Sequence, residues 1–220
     1  TGNCHNMTVL VTPLTRAPGV RKIMHAPTVG ADARGGDVTS TEPGGGPALR
    51  IAHHAAIDPL AKALETDDGE VSFGELDALV RRQEARMAAD RLDRHVVALP
   101  RGVEQVVAVA ATLLHGGIVA CVDPATPESR RRRVRDLLHQ AVGVGGGYVV
   151  TTSGTTGGPK AVHVPLTSLD WHTRTTARYY DLRPGDRVAH LASPGFDVAH
   201  EEVWPTLASG ATVVVSGTDL

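Results

Sequence analysis

The sequence predicts an α/β fold, a layered and mostly parallel sheet flanked by helices, on two observations. Short aliphatic runs of strand length recur along the chain, separated by segments whose apolar residues repeat every three or four positions. Parallel strands need such crossovers, so this alternation points to a parallel, helix-covered sheet. Composition is the second observation. Of 220 residues 41% are hydrophobic and 21% charged, yet only two Phe, two Trp and three Tyr occur. The core must therefore be built from aliphatic side chains, and wholesale disorder is excluded.

Taken in order, residues 1–47 hold eight glycines and five prolines without a sustained period of 2 or 3.6. Such a segment buries too little to offset its ordering entropy, so most of it reads as a flexible leader, with Met7–Val11 as its one strand candidate. A single domain is expected over 48–220. Ile57–Leu64 reads as a short helix and Glu70–Phe73 as a short strand. Ser72 and Glu75 have capping-box spacing, and Leu76, Leu79, Val80 and Met87 then share one helical face. His95–Leu99 is a compact apolar strand. The helix carrying Val103, Val106, Val107, Ala110, Leu113 and Leu114 stops at Gly116-Gly117. Ile118–Val122 is a buried strand, and Thr126-Pro127 opens a helix running to about His139. Strands are expected at Tyr148–Thr152, Ala161–Val164, Arg187–Leu191 and Ala211–Val215. A helix fits 167–180, with Thr167 and Asp170 as its cap and Trp171, Tyr179 and Tyr180 as packing residues. A further helix begins near 198.

Several function classes are disfavoured. Lys+Arg 22 against Asp+Glu 24 gives a net charge of −2, with no basic footprint for nucleic acid. No apolar run approaches the roughly 18 residues of a membrane span, and no secretory leader opens the chain, so a cytoplasmic protein is expected. Cys4 and Cys121 make neither a disulfide framework nor a zinc site, and Cys121 reads as a buried thiol. Arg130–Arg133 with Arg135 form a solvated helix face opposite Val134, Leu137 and Leu138. The histidines show no paired metal-ligand spacing.

The stretch that carries chemistry is Tyr148-Val-Val-Thr-Thr-Ser-Gly-Thr-Thr-Gly-Gly-Pro-Lys160. Glycines expose backbone N–H groups, Ser and Thr hydroxyls add donors, and Lys160 brings a mobile positive charge. Together they make a nest for a polyphosphate. It is not a Walker A loop, because Pro159 precedes the lysine and Ala161 follows it.

Thr152-Ser-Gly-Thr-Thr-Gly-Gly-Pro-Lys160 resembles the phosphate-loop signature of adenylate-forming (AMP-binding) enzymes, and the chain is most similar to the amino-acid adenylation domains of nonribosomal peptide synthetases. Val71–Asp77 is similar to that family's first strand-to-helix entry, and Leu114–Pro124 with Pro127-Glu128 to its following strand and arginine-rich helix. Phe196–Glu202, leading to Leu207–Val215, is similar to its substrate-pocket helix and next strand. The resemblance spans about 50–217 and implies a partial N-terminal domain of the adenylate-forming fold.

By that resemblance, Thr152, Ser153, Gly154, Thr155, Thr156, Gly157 and Lys160 hold the phosphates of ATP, with Mg²⁺, while a substrate carboxylate attacks the α-phosphorus. Asp197 matches the aspartate that holds the α-ammonium of an amino-acid substrate, and helix capping is its bland alternative. Val198 and Glu201 match pocket-lining positions, Glu201 favouring a polar or cationic substrate side chain. The implied partners are the amino acid and a phosphopantetheinyl carrier protein or a complementary adenylation-domain chain. Two departures weigh against full activity. Gln140–Gly147 is a glycine linker where the family has further strand and helix, and the ribose-binding aspartate and C-terminal lysine would lie beyond position 220. A noncatalytic fragment or scaffold is therefore the competing expectation, and no residue here is assigned as catalytic.

Overall fold

The computed structural model describes residues 20–21, 46–140, 145–152 and 160–215. In chain order these form β1 (Val20–Arg21), α1 (Gly46–Ile57), β2 (Lys62–Thr66), β3 (Gly69–Ser72), α2 (Phe73–Asp90), β4 (Arg94–Val97), α3 (Val103–Leu114) and β5 (Ile118–Cys121). There follow α4 (Glu128–Gln140), β6 (Gly147–Thr152), β7 (Lys160–Pro165), α5 (Leu166–Tyr179), β8 (Arg187–Ala189), α6 (Asp197–Ala208) and β9 (Thr212–Val215).

The strands make two sheets, ordered β1-β8-β9-β2-β3 and β4-β5-β6-β7. Pairing is parallel throughout except for β2 with β3 and β6 with β7. The expected helix-flanked, mostly parallel architecture is present, distributed over two sheets. Helices α1, α2, α3, α5 and α6 lie between them, with α3 and α5 against the four-stranded sheet and α2 and α6 against the five-stranded one. One continuous core joins both sheets through Leu64 and Val213 on one side and Val97, Val119 and Tyr148 on the other. Period-2 alternation sends Ile118, Ala120 and Val122 to the opposite face, where Val134 and Leu138 of α4 cover them.

Local chemistry explains most boundaries. At the start of α2 the Ser72 hydroxyl accepts from the Glu75 N–H at 3.3 Å, and the Glu75 carboxylate accepts from the Ser72 N–H at 2.9 Å. Both halves of the expected capping box are thus made. Helix α3 ends at Gly116, which turns at φ 78°, and a Cβ on Gly117 would sit 2.9 Å from the Asp93 carbonyl. Glycine is equally required at the start of β6, where a Cβ on Gly147 would lie 2.2 Å from the Val164 carbonyl across the hairpin.

Four local expectations fail. Ile57–Leu64 is not a helix: α1 has already run from Gly46 to Ile57, and Ala63 and Leu64 are buried in β2, where Leu64 pairs with both Val71 and Val213. The apolar period was read one element too late. Gly46 and Pro47, assigned to the leader, begin α1, and Val20–Arg21 adds a short parallel strand beside β8; Met7–Val11 lies outside the described residues. Helix α5 starts at Leu166 with no side-chain cap, and Asp170 is instead buried with Arg50 and Arg174 at 3.4 and 3.2 Å. Trp171 and Tyr179 are each 54% exposed and are not core packing.

The capping box sets a test of this local reading. Ser72→Ala should lower the unfolding free energy by about 1 kcal/mol, seen as a lower urea midpoint with an unchanged slope.

Candidate functional site

The glycine-threonine motif sits on an antiparallel hairpin. The β6–β7 register runs from Gly147 opposite Pro165 to Thr152 opposite Lys160. Thr152 and Lys160 are therefore partners at the end where residues 153–159 connect the strands, both exposed. Ser153, Gly154, Thr155, Thr156 and Gly157 lie outside the described residues.

Helix α6 supplies the second part. Its N-cap is Phe196, exposed and without a side-chain capping bond. Asp197 is the first helical residue, exposed, its Oδ1 accepting from the Val198 N–H at 3.0 Å. A carboxylate there faces the partial positive charge of the helix start. Glu201 follows one turn later on the same side, so the two carboxylates are neighbours. Val198 and Glu201 are half-buried.

Tyr148, four residues before Thr152 on β6, ties the hairpin to this helix. Its ring lies 4.0 Å from the His200 ring. Burial, followed by the charges of Asp197 and Glu201, pushes its phenol up to about 12. Tyr180 is also held up at about 12, by burial first and then by Glu201, whose carboxylate accepts its hydroxyl hydrogen. Glu201 is thus half-buried and engaged by Tyr180.

Beneath these residues lies a buried polar layer that sequence patterning did not single out. Trp204 Nε1 donates to His200 Nδ1 at 2.8 Å. Burial, with His190 and His172 nearby, pushes His200 down to about 3 and keeps it neutral. His190 is fully buried, its Nδ1 2.8 Å from Glu202 Oε2, and that same oxygen accepts the N–H groups of Leu191 at 2.9 Å and Ala192 at 3.0 Å. No local signal could have found this layer, because it joins side chains of α6 to the β8–α6 connection and to β6. Among the described residues no group of three or more His, Cys, Asp or Glu could hold a metal ion. No described helix is long and apolar enough to cross a membrane. The Cys121 thiol is buried and pushed up to about 12, which makes it inert.

The two-sheet α/β architecture is the fold of solved nonribosomal peptide synthetase structures. Residues 147–220, from the beginning of β6 onward, match the family described as AMP-binding enzyme. The isonitrile lipopeptide synthase of Streptomyces coeruleorubidus is 28% identical over 214 residues, covering 77% of this chain and 15% of the synthase. Among solved structures, the AMPPNP-bound form of the nonribosomal peptide synthetase FmoA3 superposes with a TM-score of 0.67 at 24% identity, over 79% of this chain and 23% of FmoA3. VinN in complex with L-aspartate superposes with a TM-score of 0.66 at 18% identity, over 79% of this chain and 62% of VinN. The chain is thus similar to AMP-binding enzymes over residues 147–220, and in fold to part of nonribosomal peptide synthetase structures. It spans less than two-thirds of each relative named.

The neutral His200 sets a pH dependence. Its folded value of about 3 lies below the ordinary 6.5, so the unfolded chain binds the extra proton first. The stability it contributes is complete above pH 6.5 and falls as pH drops toward 3. His200→Gln keeps an acceptor for Trp204 and should flatten the fall of urea-unfolding stability across that window.

Proposed function

We propose that this chain contributes the phosphate loop and the substrate-ammonium clamp of an enzyme that activates an α-amino acid with ATP, forming an aminoacyl adenylate for transfer to a carrier-protein thiol. The observation that carries this reading is the AMP-binding match over 147–220, which contains both the hairpin motif and the Asp197 helix start. The AMPPNP-bound neighbour supports ATP as the nucleotide and the L-aspartate complex of VinN supports an amino-acid substrate. The neighbour PA1221, which contains adenylation and PCP domains, supports a carrier protein as acceptor. The domain assignment that goes with this reading is an AMP-binding unit over 48–220.

In this reading Thr152, Ser153, Gly154, Thr155, Thr156, Gly157 and Lys160 cradle the β- and γ-phosphates. A substrate carboxylate oxygen bonds to the α-phosphorus, the bond from that phosphorus to the bridging oxygen breaks, and pyrophosphate leaves with its electron pair. The loop donors and the Lys160 charge act on the negative charge that the leaving group gains. Mg²⁺ bound with the nucleotide would add positive charge to the phosphates that these loop residues hold. Asp197 accepts from the substrate's α-ammonium, a charge-assisted bond that fixes which end of the substrate meets the phosphate. Val198 and Glu201 line the next turn, where a carboxylate already bonded to Tyr180 suits a polar or cationic substrate side chain.

Amino-acid-dependent ATP–pyrophosphate exchange, run across the common protein amino acids, tests the assignment. Lys160→Ala should abolish most exchange at limiting ATP. Asp197→Ala should raise the amino-acid KM by roughly 10- to 100-fold, as expected for losing one charged hydrogen bond. Exchange that survives both substitutions, or is absent from the folded protein for every amino acid, overturns the proposal.

A further inference from the structure

The connection between β8 and α6, residues 190–196, delivers Phe196 and Asp197 to the helix start, and two charged side chains hold it from opposite directions. Glu202, buried on α6, presents one carboxylate oxygen to three donors: His190 Nδ1 and the main-chain N–H groups of Leu191 and Ala192, all within 2.8–3.0 Å. Arg101, just after β4 in the other sheet, donates its Nη1 hydrogen to the Leu191 carbonyl. Leu191 is thus fixed through its N–H by one sheet's helix and through its C=O by the opposite sheet. A carboxylate oxygen only accepts, so His190 Nδ1 carries the hydrogen. His190 Nε2 is buried with no hydrogen-bond partner among the described residues. A fully buried imidazole left unpaired at one nitrogen carries a desolvation cost, and the arrangement persists because its other nitrogen completes the Glu202 shell.

We propose that Glu202, with Arg101, is a positioning residue for Asp197: together they set the path of residues 190–196 and so the placement of the ammonium-binding carboxylate. This rests on the reading of Asp197 given above. Glu202 touches no substrate and acts through the loop. One burial argument separates it from ordinary core packing. A buried carboxylate needs its donors, and here two of the three are backbone groups of the loop itself, so the loop cannot move without stripping the carboxylate.

The test is steady-state exchange kinetics in the native protein containing this chain, with each common protein amino acid and, for the best of these, its counterpart lacking the α-amine. Glu202→Ala should raise the amino-acid KM on the order of 10- to 100-fold, the scale of a small misplacement of a binding group, while the KM for ATP and the KM for the desamino acid stay unchanged. Glu202→Gln should restore near-native values, because an amide oxygen in the same place can accept all three hydrogens. Arg101→Met frees the other side of Leu191 without touching the buried pair, and should give the same selective rise in smaller measure; it decides the matter should Glu202→Ala not fold.

Equal rises in both KM values, no rise in either, or a Gln variant as impaired as the Ala variant overturns the positioning role. If at the same time Asp197→Ala treats the amine-bearing acid and its desamino counterpart alike, the function assigned to Asp197 survives. If Asp197→Ala still discriminates the two as the unsubstituted protein does, or the folded protein exchanges with no amino acid, both proposals fall.

Discussion

Helix α6 is buried along almost its whole length, and the rest of the structure is arranged around that constraint. Ala199, His200, Glu202, Val203, Trp204, Thr206 and Leu207 are all buried. Apolar burial of Val203, Trp204 and Leu207 drives the helix into the middle layer, but it takes three polar side chains with it, and each must be met there. The Thr206 hydroxyl donates to the Glu202 carbonyl at 2.6 Å within the helix. Trp204 and His200 meet each other, and Glu202 draws in the β8–α6 connection. The path of the chain into the helix is thus a consequence of how the helix's own polar groups are satisfied.

This constraint also couples the two sheets. Packed against β8 and β9, α6 also reaches the four-stranded sheet through the Tyr148–His200 ring contact, and Arg101 reaches back from that sheet to Leu191, beside the shared apolar core. Both links end close to chemistry. Tyr148 stands on the strand that leads into the phosphate-loop motif, and Leu191 on the connection that leads to Asp197.

How legible this was in the sequence depended on the range of the forces involved. Ser72 with Glu75 and the Val103–Leu114 helix closed by Gly116-Gly117 were readable because their determinants lie within a turn of each other. The glycine-threonine stretch is legible as a motif alone, since a polyphosphate nest would be written in consecutive residues, and residues 153–159 lie outside the described ones. Ile57–Leu64 is not the expected helix because Ala63 and Leu64 belong to a strand held between the neighbouring β3 and the distant β9, while Gly46 and Pro47 look like the end of a leader and not the start of a helix. Asp170 was assigned to a cap because nothing local announces Arg50. His190 and Glu202 carried no signal at all, being twelve positions apart, beyond any helical or strand repeat that would pair them.

Three carboxylates within six residues of one helix show how burial alone can divide identical chemistry into different roles. Glu202 is buried and its donors are all internal, so it can stabilise a conformation but has nothing to offer a ligand. Glu201, half-buried and bonded to Tyr180, is partly committed. Asp197 is exposed at the helix start, its recorded hydrogen bond only to the next residue's N–H, and it retains acceptor capacity for a positively charged group arriving from solvent. A carboxylate accepts up to about four hydrogens, so the number already supplied by the protein sets what remains for a ligand. That gradient runs from the buried end of the segment to its exposed end, where Asp197 stands at the start of the helix.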